Sequence, residues 1–99
     1  MFSLTERFKS LGFIVGVPEL REGRFTKLQQ VYVKDLTKYT SLIIEGFKKK
    51  GYSTYRYTFY KATYIKDGQK INEKVYVEDA SPLEVLRKVT SFLSYIERG

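Results

Sequence analysis

The clearest alternation of apolar and polar positions in the chain occurs twice. Val31-Tyr32-Val33-Lys34-Asp35 returns 44 residues later as Val75-Tyr76-Val77-Glu78-Asp79. Side chains alternate along an extended strand, so each copy sets two valines on one side and a tyrosine on the other. After each copy the period changes. Leu36, Tyr39, Ile43 and Phe47 fall at helical spacing, as do Leu86, Val89, Leu93 and Ile96, with Leu83, Val85 and Phe92 widening the second stripe. The pattern predicts one helix over 36–50, ended by Gly51, and another opened by Ser81-Pro82-Leu83-Glu84. That tetrapeptide holds an N-cap serine, a proline in the first turn and a glutamate three residues on.

The remaining segments follow from the same reading. Ser3-Leu4-Thr5-Glu6 has capping-box spacing, and Leu4, Phe8 and Leu11 share a face before Gly12 stops a short helix. Phe13, Val15 and Val17 alternate up to Pro18, Glu22-Gly23-Arg24 reads as a turn, and a strand runs over 25–33. Residues 53–65 are dense in aromatic and β-branched side chains, Lys66-Asp67-Gly68 is a hairpin turn, and 71–77 returns.

Register follows from that turn. Pairing Ile65 with Gln69 makes partner numbers sum to 134, which sets Tyr57 opposite Val77, Phe59 opposite Val75, Lys61 opposite Glu73 and Arg56 opposite Glu78. The 44-residue shift then pairs Phe13 with Val33, Val15 with Val31 and Glu19 with Lys27. The chain thus reads as one domain, residues 1–99: an N-terminal helix at 1–12, a ββα unit at 13–51 and a second at 52–99. The expected fold is α+β, a four-stranded antiparallel sheet from a duplicated ββα unit, in a permuted ferredoxin-like order with two helices on one face. A swapped dimer of ββα units is the other arrangement the repeat allows.

The hexamer Val31-Tyr32-Val33-Lys34-Asp35-Leu36 resembles the first-strand signature of RNA-recognition-motif domains: aliphatic, aromatic, aliphatic, any, Asn or Asp, Leu. The resemblance covers residues 31–93 and implies a ferredoxin-like fold. The family's second signature is missing from 70–78, and Lys50-Gly51-Tyr52-Ser53 imitates its start on a different segment. In composition the chain is similar to small uncharacterised proteins of archaeal filamentous and rod-shaped viruses, which are short, rich in Lys and Tyr and free of cysteine.

Composition narrows the function classes. The 99 residues suffice for one core that buries ~60–65% of the unfolded surface. No apolar run reaches the ~18–20 residues that cross a bilayer, and the N-terminus lacks a basic start and long apolar segment, so the expected location is intracellular, cytoplasmic, or the host cytoplasm for a viral protein. With no Cys and no His, thiol and imidazole chemistry and the usual zinc sites are excluded. One Met, one Asn and three Gln beside many charges suit a thermostable protein. The net charge of +7 favours polyanions, although Lys48-Lys49-Lys50 reads as the cationic end of the first predicted helix.

Candidate chemistry is sparse. Asp35 and Asp79 sit at expected helix caps, Glu73 and Glu78 face cations, and Asp67 lies in a turn. Gly46 to Gly51 has the glycine spacing of a phosphate loop without the Lys-Ser/Thr that follows in one. The expectation is a protein that is not an enzyme and holds no cofactor and no metal. If the odd-numbered side packs on the helices, the even side presents Tyr32 and Tyr76, with Gln30, Arg56, Tyr60 and Lys74 around them. Rings interleaved with cations suit single-stranded nucleic acid, and a tyrosine-rich sheet face also suits burial in a symmetric homodimer. The expected function is a macromolecular interaction module, homodimeric, with nucleic-acid binding as the alternative and no membrane partner.

Overall fold

The computed structural model describes residues 3–16 and 28–98. Helix α1 (Leu4–Ser10) is followed by strands β1 (Ile14–Val15), β2 (Leu28–Thr37), β3 (Thr40–Phe47), β4 (Arg56–Tyr64) and β5 (Lys70–Ala80), then helix α2 (Pro82–Arg98). The strands form one five-stranded antiparallel sheet in the order β1-β2-β3-β4-β5, each paired with its sequence neighbour. The expected four-stranded sheet of two ββα units is therefore incorrect. The fold is α+β, but the sheet is a meander with one long helix after it and one short helix before it. Pro18, the turn at Glu22–Arg24, the start of the strand at Phe25 and the Glu19–Lys27 pair lie outside the described residues.

The error lies at residues 36–50. Instead of a helix, β2 turns at Lys38-Tyr39 and returns as β3, with Thr37 opposite Thr40 and Asp35 opposite Ser41. Leu42, Ile43 and Ile44 are all buried, because β3 is the middle strand and both of its faces are covered. A strand buried on both sides reads as a continuous apolar run, and the β-branched isoleucine pair suits the pleated surface better than a helix. Gly51 then closes no helix. Its φ of +92° serves a tight turn in which Tyr52 N–H donates to the Lys49 carbonyl at 3.2 Å.

Both helices lie on one face of the sheet. Phe8 of α1 packs on Tyr32 and Phe13, with ring centroids 5.0 and 5.8 Å apart. From α2, Val85, Leu86, Val89 and Leu93 join Tyr32, Leu42, Ile44, Tyr57 and Phe59 in the main core. The opposite face carries a second cluster of Val31, Ile43, Tyr60 and Ala62. One cross-strand row runs through it across all five strands: Ile14, Val33, Ile43, Tyr60, Val75.

The helix starts are as the sequence predicts. Ser3 Oγ accepts from Glu6 N–H at 3.3 Å. At α2 the box is reciprocal: Glu84 N–H donates to Ser81 Oγ at 3.2 Å, and Ser81 N–H donates to Glu84 Oε1 at 3.0 Å. The turn at Lys66-Asp67-Gly68 also forms, with Ile65 N–H donating to the Gln69 carbonyl at 2.9 Å and Gly68 at φ +91°.

Registers depart from expectation by one to three residues. Ile14, not Phe13, faces Val33, and Val15 faces Tyr32. Between β4 and β5 the pairing starts at Tyr64–Lys70 and slips at three irregularities. Phe59 therefore faces Val77, Tyr57 faces Ala80, and Lys61 faces Lys74 rather than Glu73. Tyr76 is the extra residue between the Tyr60–Val75 and Phe59–Val77 pairs.

Candidate functional site

These slips move the tyrosines. Tyr32 is on the helix side and 1% exposed. Its hydroxyl donates to Gln30 Oε1 at 3.1 Å, so the Thr5 hydroxyl, 2.7 Å away, is the donor to it. Tyr57 OH also donates to Gln30 Oε1, at 2.9 Å. Burial raises the Tyr57 hydroxyl pKa well above its ordinary value, with the Tyr32 hydroxyl adding to the shift. Tyr76 is also on the helix side, its ring 4.7 Å from Phe92 and 5.2 Å from Phe59, and burial raises its pKa. Tyr60 alone among the expected tyrosines is on the helix-free face, buried, donating to Glu45 Oε2 at 2.6 Å.

The six expected site residues thus do not share one surface. Tyr32 and Gln30 belong to an internal hydrogen-bond chain, Tyr60 to the opposite cluster, and Arg56 to the end of the sheet. Lys74 and Tyr76 stay together as a second pair, the ammonium 5.7 Å from the ring centroid. Lys74 stands in a row with Lys34, Leu42 and Lys61. Lys34 is held there by donating to the Leu11 carbonyl at 3.0 Å, which caps α1.

Arg56 leads to a different cluster, built where the loop after β3 meets the junction of β5 and α2. Asp79 organises it. The residue has φ +54°, the one positive φ outside glycine among the described residues, a conformation aspartate tolerates better than most. There its carboxylate accepts from Lys49 Nζ at 2.6 Å and Arg56 Nε at 2.9 Å, and its carbonyl accepts from the Arg56 guanidinium. The Lys49 bond, then the Arg56 bond, lower the Asp79 pKa, while the same bond to Asp79 raises that of Lys49.

Above the pair lies Tyr52. The Arg56 guanidinium sits 4.4 Å from its ring centroid and Lys49 Nζ 5.6 Å, yet the residue remains 48% exposed. Lys48 and Lys50 flank the loop, both exposed. Sequence reasoning attached the lysines to a helix end and so missed Tyr52. The available signal was Lys50-Gly51-Tyr52-Ser53, a cation and an aromatic residue around a turn-forming glycine.

The arrangement offers cations and a ring face. Among the described residues no group of three acidic, His or Cys side chains converges as metal ligands. Nor is any helix among them long and apolar enough to cross a membrane.

Over 98 residues, 99% of this chain and 86% of the relative, the sequence is 45% identical to the uncharacterized protein YddA of Bacillus subtilis (strain 168). The chain belongs to the YddA family. No protein-family model matches it, and no solved structure matches it.

Proposed function

We propose that this YddA-family protein is a non-enzymatic interaction module that binds single-stranded nucleic acid at the Lys49–Tyr52–Arg56 cluster. The observation that carries this reading is the half-exposed Tyr52 ring, held by the Arg56 guanidinium in a loop with three consecutive lysines. A base stacks on such a ring for ~1–3 kcal/mol whatever its identity, and the ammonium groups meet phosphate. The net charge of +7 supplies the long-range attraction. The role assigned by sequence to Tyr32 and Tyr76 passes to Tyr52.

Fluorescence anisotropy of a labelled oligo-dT strand, titrated at several salt concentrations, tests the reading. Affinity should fall steeply with salt, and alanine at Lys48, Lys49 and Lys50 should flatten the log–log slope by about 2, at ~0.7 per lost phosphate contact. Tyr52→Ala should weaken binding about 5- to 150-fold at constant charge, while Tyr52→Phe keeps most of it. Salt-independent binding, or no effect of Tyr52→Ala, defeats the proposal.

Self-association is the second reading. It is supported by Ile71 and Val75, exposed on β5, the outermost strand of the sheet. Light scattering should then report a dimer that Val75→Glu dissociates. A monomer at all concentrations removes this reading.

A further inference from the structure

A shallow, solvent-open groove of about 410 Å³ lies between the two helices, lined by Arg7, Leu83, Leu86, Arg87, Thr90 and Ser91. Its floor is aliphatic. Leu86 is nearly buried, but Leu83 is 59% exposed at the second position of a helix whose start is pinned by the Ser81–Glu84 box. Once that box fixes the phase, Val85 and Val89 take the core side. Leu83, two residues and about 200° of rotation from Val85, is turned away from it. An exposed leucine so placed is not needed to close the core.

The walls are cationic. Arg7 and Arg87 are the titratable groups that line the groove, and among the described residues neither guanidinium has a hydrogen bond or ion pair. Of the nearby acids, Glu6 pairs with Lys9 at 3.9 Å, and Glu84 accepts from Ser81 N–H, although its charge also interacts with that of Arg87. Thr90 donates to the Leu86 carbonyl at 2.8 Å, which leaves its oxygen able to accept. The groove thus offers an apolar strip between two forked donors that fit carboxylates.

We propose that this groove docks an acidic amphipathic segment of a partner protein, its leucine-type side chains on Leu83 and Leu86 and its carboxylates on Arg7 and Arg87. Charge complementarity selects the occupant. Among the described residues no aromatic side chain lines the groove for a base to stack on, which separates it from the Tyr52 loop. A second copy of this chain is a poor fit. Its one adjacent pair of acids is Glu78-Asp79, and Asp79 is held by Lys49 and Arg56. Helix-in-groove recognition needs aliphatic anchors at helical spacing, and the two arginines decide the sign of the residues around them.

The test uses two labelled helical peptides with the same leucine spacing, one with glutamates on its polar face and one with lysines. The glutamate peptide should bind, and should shift backbone amide resonances at Arg7 and from Leu83 to Ser91. Arg7→Gln with Arg87→Gln should weaken it about tenfold or more, the loss of two charged contacts. Leu83→Ser, at an exposed position, should weaken it without lowering the melting temperature. Equal binding of the lysine peptide, an effect of the arginine pair within about twofold, or shifts confined to 48–55 overturns the proposal. So does displacement of the peptide by oligo-dT, which would make the groove a phosphate site.

Discussion

Replacing Gly46 by alanine separates a helix from a strand at residues 36–50 by the sign of its effect. In an exposed helix interior the change stabilises by about 1 kcal/mol, because glycine is the poorer helix former. In the sheet Gly46 faces Tyr57 across the β3–β4 pair. An alanine β-carbon would stand 2.6 Å from Tyr57 Cε1, 3.1 Å from Cδ1 and 3.3 Å from Gln30 Cβ. Ordinary carbon contacts are ~3.5–4.0 Å, so the ring has to retreat by about 1 Å.

The ring is poorly able to do so. It is buried in the main core, and its hydroxyl is tied to Gln30 Oε1 at 2.9 Å. Forced displacement costs ~1–3 kcal/mol, and losing the hydrogen bond adds about 1. The stiffer unfolded chain returns ~0.4–1 kcal/mol. The net expectation is a destabilisation of ~1–3 kcal/mol, seen in urea unfolding as a lower midpoint at unchanged m, and in melting as ~4–8 °C per kcal/mol. In a double-mutant cycle with Tyr57→Leu, the alanine should cost much less once the ring is gone. A Gly46→Ala protein as stable as the parent, or more stable, refutes the packing argument and with it the strand.

Three further outcomes follow from the same structure. Tyr32→Ala should cost about 3–5 kcal/mol, since a fully buried ring in the core is removed, and circular dichroism melts should show partial or complete loss of the fold. Ser81→Ala should cost about 1 kcal/mol by chemical denaturation through loss of the α2 cap. Acid should weaken the fold at the Asp79 cluster and the α2 box: the Lys49 and Arg56 bonds lower the pKa of Asp79, and the Ser81 backbone bond lowers that of Glu84. A folded-state pKa below the unfolded one gives stability that is full above the unfolded value and is lost as pH falls through the folded one. Melting temperature should therefore drop below about pH 4, and Asp79→Asn should show a smaller drop.

What the sequence made legible was what neighbouring residues decide among themselves. The Ser3 and Ser81 caps and the Lys66-Asp67-Gly68 turn are settled within four residues, so composition alone locates them. Residues 40–47 were not legible in that way. Leu42-Ile43-Ile44 is apolar on both faces because the middle strand is covered on both, and such a run carries no period that distinguishes it from a helix. The cues against a helix were the adjacent isoleucines and Gly46. Register failed for a related reason. Alternation fixes register where one face is wet, but here valines and tyrosines fill opposite cores, Val31 in one and Tyr32 in the other. A slip of one residue then moves apolar groups between two apolar sides, and the bulge at Tyr76 leaves no mark in the pattern. The repeated pentads consequently share a sequence without sharing an environment. Asp35 accepts from Ser41 Oγ, its cross-strand partner on β3, whereas Asp79 takes a left-handed conformation to hold Lys49 and Arg56 under Tyr52. The second copy meets the loop after β3, and at that junction the sheet ends in an exposed ring among cations.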